Sequence, residues 1–205
     1  MLAATRTTYT VLDTVPSVTA FRVVLLTLLA LLALPSWADR QQDPALGRFL
    51  QKTLKEGPCF EDEFEKKVWL AAMEPKLLKV VKDEKERGEI LHHVFCEARR
   101  LQLPPGLVMA VIDVESRFDR WAVSSAGAVG LMQVMPFWPN QLGLTNAELV
   151  RTPQNVRMGC TILKFYLDRE KGDYTKALAR YNGSVGRRNY ADLVLVRLAN
   201  RWQYR

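Results

Sequence analysis

Apolar positions recur at helical spacing through most of this 205-residue chain, and hardly anywhere do they alternate. Between positions 84 and 101, Ile90, Leu91, Val94, Phe95, Ala98 and Leu101 fall on one face. That spacing predicts a helix whose start, the charged run from Lys82 to Arg87, is solvated. Residues 155–169 set out Met158, Ile162, Phe165 and Tyr166 in the same way, and 174–181 and 190–202 read as two more helices. Earlier, 60–73 and 76–81 read as helices separated at Pro75, because proline lacks the backbone donor and clashes with the preceding turn. A further helix begins near Pro105, where proline in the first turn costs nothing, and Leu107 to Ile112 follow as an apolar run. The pattern predicts an all-α protein with at most a short strand or two and no internal repeat.

Glu115 ends that last helix. Ile112, Val111 and Val108 stand three, four and seven positions before it, so its side chain continues their buried stripe. Asp113, roughly 200° around the axis from Glu115, is expected at the surface or in a local cap. Burial disfavours the charged form of a carboxylate, and so does the negative end of the helix dipole, so both raise the pKa of Glu115. An acid kept protonated near neutral pH can give a proton to a leaving oxygen and take one back, which is the chemistry of glycosidic bond cleavage. A lone acid suffices when the substrate supplies its own nucleophile. The loop that follows is broken by Gly127 and Gly130, which read as turns serving a cleft. Of Met132 and Met135, spaced i, i+3, one is expected in the core and one facing the cleft.

Three stretches together carry a resemblance: Glu115-Ser116-x-Phe118; Ala122-Val123-Ser124-x-x-Gly127-Ala128-x-Gly130-Leu131-Met132-Gln133-x-Met135-Pro136; and Tyr181-Asn182-Gly183. With Asn155 to Gly159 between them, they resemble the lytic transglycosylases that have a soluble-lytic-transglycosylase-type, goose-lysozyme-like domain. The likeness runs over about 103–190 and does not cover 39–102. It implies a lysozyme-like helical domain that cleaves the β-1,4 bond between N-acetylmuramic acid and N-acetylglucosamine in peptidoglycan without adding water. The products end in a 1,6-anhydro ring. By position, Glu115 matches the acid/base of these enzymes, and Ser124 a serine near the acid and the acetamido group. Gln133, Met135 and Tyr181 match residues lining the sugar subsites, while Ser116 and Asn182 match motif positions of a more structural kind. Glycan strands are the implied partner, with no cofactor and no metal. Two rivals stay open: a hydrolytic muramidase, and a catalytically inactive wall-binding scaffold. The chain departs from the family at Phe118-Asp119-Arg120-Trp121-Ala122, where members commonly read F-N-P-x-A. It departs again at Arg180-Tyr181-Asn182-Gly183-Ser184, where they read A-Y-N-A-G, which puts Trp121 and Arg180 forward as cleft-rim residues.

The N-terminus reads as a secretory leader: Arg22, an apolar run from Val23 to Leu34, Pro35, and then Ser36-Trp37-Ala38 with small residues at the −3 and −1 sites. Spanning a bilayer takes about 20 apolar residues, so this run predicts cleavage after Ala38 rather than an anchor. The expected organisation is a signal peptide over 1–38, an N-terminal helical extension over 39–102 and a catalytic domain over 103–205. The product is expected to be periplasmic or exported. Lys and Arg total 29 against 22 Asp and Glu, a net charge of +7. No zinc-finger spacing or basic recognition helix points to nucleic acid, and an anionic cell wall suits the charge equally well. Cys59, Cys96 and Cys160 in an oxidising compartment predict one disulfide and one free thiol. The Gly57-Pro58 turn before Cys59, and Cys160 directly after Gly159, favour the pair Cys59–Cys160. His92 and Cys96 share a helix face, but no third ligand stands at zinc-site spacing.

Overall fold

A computed structural model describes residues 43–55, 62–142 and 145–203, all within one compact unit, Trp37–Arg205. The leader read over 1–38 and Cys59 lie outside the described residues. Helices follow one another in chain order: α1 (Pro44–Thr53), α2 (Glu63–Leu77), α3 (Glu84–Arg100), α4 (Pro105–Glu115), the short α5 (Phe137–Gln141), α6 (Thr152–Arg169), α7 (Tyr174–Tyr181) and α8 (Asn189–Arg197). A 3₁₀ turn, Asn146–Val150, precedes α6, and a π turn, Leu198–Trp202, extends α8. The described residues form no strand, only isolated bridges from Val129 to Val123 and to Val134, so the molecule is all-α.

Aspartates begin four of the helices. Asp43, Asp62, Asp83 and Asp173 each turn a carboxylate back onto backbone N–H groups of the first turn, at 2.7 to 3.0 Å. These bonds satisfy donors that a helix start otherwise leaves unpaired. The predicted face of α3 is buried as expected, Ile90, Leu91, Val94 and Ala98 completely. Its charged start is less simple than a solvated run. Arg87 is buried, donating from Nε to Glu74 Oε1 at 2.6 Å and from Nη1 to the carbonyls of Val81 and Lys82.

Two further expectations give way to packing. The helix through Pro75 does not break: α2 runs on to Leu77, and the second segment expected over 76–81 dissolves into turns. Trp69, Met73 and Leu77, four residues apart in succession, are all fully buried, and keeping that row in the core holds the helix past its proline. Asp113 is not at the surface either. Helix α4 packs against α3, α8 and the π turn, and Gly106 to Asp113 are buried all round. A helix that is apolar on every side has no solvent face for a polar residue to choose. Asp113 is instead satisfied inside, accepting a hydrogen bond from Trp202 Nε1 at 2.8 Å with Arg201 beside it at 3.5 Å.

One core extends from Leu46 to Trp202 and takes residues from both sides of position 102. Helix α1 joins it through α6: Phe49 packs on Phe165 with ring centres 5.6 Å apart, and Asp43 pairs with Arg169. Arg100 and Arg157 donate to the carbonyls of Thr53 and Leu54 at the end of α1, and buried Glu97 bridges both guanidinium groups. Among the described residues, no helix is long and apolar enough to cross a membrane.

The expected Cys59–Cys160 bridge is not formed. Cys160 is a free, fully buried thiol whose Sγ lies 3.9 Å from Met132 Sδ, and the disulfide engages Cys96 of α3 instead. Burial of Cys160 between packed helices, not the turn residues near Cys59, decides that its thiol stays free.

Candidate active site

Helix α4 stops at Glu115 because the chain turns sharply after it. Arg117 and Phe118 both take positive φ, 54° and 67°, conformations that an L-residue helix cannot continue. Ser116 caps the end and ties it down, its hydroxyl 2.8 Å from the carbonyl of Leu131 and 3.3 Å from that of Ile112. The last side chain of α4 therefore projects into a cleft of about 240 Å³. Its walls include Glu115, Ser124, Gln133, Met135, Tyr181 and Asn182. Among the described residues lining the cleft, Glu115 is the only acid.

Burial pushes the Glu115 carboxyl up from 4.5 to about 7, and the hydrogen bond from Tyr190 opposes that rise. Tyr190 Oη donates to Oε1 at 2.6 Å across 75 positions of sequence. Burial first, and then the charge of Glu115, hold the Tyr190 hydroxyl far above its ordinary range, so it stays a donor. One carboxylate oxygen is thereby fixed, and the group stands close to half-protonated at neutral pH.

The opposite wall is the glycine loop, and Asn155 is its latch. This side chain of α6 is fully buried; it accepts from the backbone N–H of Met132 at 2.8 Å and donates to the carbonyls of Val129 and Leu149 at 2.9 and 2.7 Å. Gly130 is required where the latch closes. With φ at +81°, a Cβ there would stand 2.3 Å from Asn155 Nδ2 and 2.7 Å from the Leu149 carbonyl oxygen. Gly127 has a similar φ, +84°, but open space around it. Gln133 also takes positive φ, 49°, which breaks the i, i+3 spacing of the two methionines. Met132 goes fully into the core while Gln133 and Met135 both border the cleft.

The polar groups of the cleft differ in what they have left to offer. Ser124 Oγ accepts from the backbone N–H of Ala128 at 3.0 Å, which leaves its own proton for a ligand. Gln133 Nε2 donates to the carbonyls of Ala122 and Gly130 at 3.1 and 3.0 Å, so the amide oxygen is the end that can turn to the cleft. Tyr181 presents its ring, since its hydroxyl is committed to the Met132 carbonyl at 2.7 Å. Asn182 caps α7 at the cleft edge. Arg180, a proposed rim cation, pairs with Glu170. Trp121 is well exposed.

Several lining residues escaped the sequence reading. So did Tyr190, which is not itself a lining residue but holds Glu115 from behind, and which stands at the limit of the recognised pattern with nothing local to mark it. Trp138 and Leu46 also line the cleft. Leu46 had a legible signal in the Asp43-Pro44 helix start followed by Leu46 and Leu50 at i, i+4 spacing. Among the described residues, no group of three or more His, Cys, Asp or Glu is placed to hold a metal ion.

A helical unit with one cleft-facing carboxylate at a helix end is a setting in which a single acid can act on a bound ligand. Residues 93–192 match the family described as Transglycosylase SLT domain. Over that segment, just under half of the chain, the protein is similar to the transglycosylase SLT domain family. It is 40% identical over 88 residues to the Transglycosylase of Enterobacteria phage PRD1, covering 43% of this chain and 32% of that protein. It is 49% identical over 39 residues to the Membrane-bound lytic murein transglycosylase C of Actinobacillus pleuropneumoniae serotype 5b, covering 19% of this chain and 11% of the relative. The chain thus spans a third or less of the length of these curated relatives. Among solved structures, it is similar to an inactive mutant of the lytic transglycosylase Slt from Pseudomonas aeruginosa. That likeness has 25% identity and a TM-score of 0.44, over 51% of this chain and 20% of that one.

Proposed function

We propose that this chain is a peptidoglycan lytic transglycosylase in which Glu115 is the sole acid and base. The observation that carries the reading is a lone cleft carboxylate held at about 7, the value at which one group can serve in both directions near neutral pH. In its protonated form Glu115 gives its proton to the β-1,4 glycosidic oxygen, and the bond from that oxygen to the muramyl C1 breaks. The carboxylate so formed takes the proton of the muramyl C6 hydroxyl as that oxygen bonds to C1, closing the 1,6-anhydro ring. The proton count returns to its start, and no water is consumed. Tyr190 keeps one carboxylate oxygen in place while the other trades the proton.

Ser124, Gln133, Met135, Tyr181 and Asn182 form the sugar-binding wall in this reading, with Ser116, Gly127 and Gly130 shaping it. The absence of a second acid among the described lining residues favours an internal nucleophile over the two-carboxylate hydrolytic scheme. Segment 103–205 carries the chemistry, and 39–102 supports it. The leader over 1–38 exports the enzyme, with cleavage after Ala38 that N-terminal sequencing of the secreted product detects.

Mass spectrometry of digested sacculi tests the reaction. Anhydro-muropeptides from the wild type and none from Glu115→Gln are expected. Reducing-end muropeptides alone would replace the proposal with a hydrolytic muramidase, and equal clearing by both proteins would replace it with a wall-binding scaffold.

A further inference from the structure

Trp121 has no part in the site described above, and its setting is unusual for a large aromatic. It is 64% exposed, yet the backbone around it is pinned. Its N–H donates to Asp119 Oδ1 at 2.8 Å, and the carbonyl of the next residue, Ala122, accepts from Gly130 N and Gln133 Nε2 at 2.9 and 3.1 Å. Arg120 lies against the indole, 5.1 Å from the ring centre, and is itself held by the Val150 carbonyl at 3.2 Å and by Glu89 at 3.7 Å. The ring borders a groove of about 510 Å³ shared with Asp83, Lys85, Glu86, Glu89 and Arg120. Trp121 stands three residues before Ser124 of the cleft, so the two Cα atoms are at most about 11 Å apart.

We infer that Trp121 is the floor of an outlying glycan subsite, a platform on which a sugar ring of the same strand stacks beyond the cleft. The inference rests on the glycan-cleaving reading of the cleft. The apolar C–H face of a pyranose ring matches an indole presented at low entropic cost by a fixed loop. Charged donors and acceptors around the groove suit the hydroxyls at the ring's edge. Glycan is favoured over a separate protein partner by continuity, because the bonds that fix Ala122 run directly to Gln133 in the cleft wall.

Fluorescence titration of the Glu115→Gln protein with peptide-free glycan strands of defined length tests it without requiring turnover. Trp121→Ala in that background is expected to weaken binding of long strands about three- to tenfold, to leave the shortest cleft-filling fragment unaffected, and to be largely rescued by Trp121→Phe. Equal weakening at both lengths, or no weakening, would overturn the assignment. If glycan of every length fails to bind even with Trp121 present, the reading of the cleft falls with it. If glycan binds equally well with and without the indole, only the Trp121 subsite falls.

Discussion

Replacing Glu115 by glutamine should stabilise the fold, by an amount that depends on pH. Burial lifts this carboxyl from 4.5 to about 7, and at 1.36 kcal/mol per unit that is about 3 kcal/mol against the ionised form in the folded chain. Below the unfolded value both states hold the proton, and the group contributes no difference. Between there and about pH 7 the unfolded chain ionises while the folded one does not, so the folded state loses stability as pH rises. Above about pH 7 the whole loss is present. Glutamine keeps the volume and an oxygen for the Tyr190 hydroxyl, and it never ionises. Glu115→Gln should therefore match wild type near pH 4 and exceed it by about 2–3 kcal/mol at pH 8, a rise of several degrees in Tm for a domain of this size. Denaturant unfolding of both proteins at pH 4, 6 and 8 measures the gap. A gap that does not change with pH, or a variant less stable than wild type at pH 8, would refute the account of Glu115 as a buried acid.

Tyr190→Phe removes the bond that favours ionised Glu115, so the alkaline limb of the pH profile should move upward and kcat/KM at neutral pH fall about tenfold, as for one charge-assisted bond; a lower rate with an unmoved limb would contradict this. Gly130→Ala should cost about 3 kcal/mol or more because its Cβ meets the Asn155 latch, whereas Gly127→Ala, with equal backbone strain and free space, should cost about 1 kcal/mol. Thermal unfolding of the pair separates the two terms, and equal losses would count against the latch. Burial pushes the Cys160 thiol well above its ordinary range, so an aromatic disulfide reagent should label it only in denaturant, and rapid labelling of the native protein would disprove the packed position against Met132.

Local physics was legible wherever a residue's role depends on its near neighbours. The buried face of α3, the proline start of α4, the glycines of the loop and the acid at the end of α4 all follow from spacing and backbone preference. Glu115 is partly buried, with its carboxyl desolvated, on the stripe that spacing predicts, although that spacing argument is incomplete. Helix α4 is enclosed on every side, and the same argument sent Asp113 to the surface when it is inside with Trp202.

Contacts between distant segments were beyond any periodicity. Tyr190 reaches Glu115 across 75 positions, Asn155 holds a loop more than twenty residues before it, and Cys160 is a free thiol buried against Met132. Local preference also lost to packing at Pro75, where three buried side chains in register keep a helix going. By itself the sequence determined which segments coil and which carboxylate ends α4, because helical period, caps and turn residues act over a few positions. Only the tertiary structure decided how strongly that acid holds its proton and what grips it. Desolvation and a 2.6 Å hydrogen bond arise only when α4 and α8 pack together.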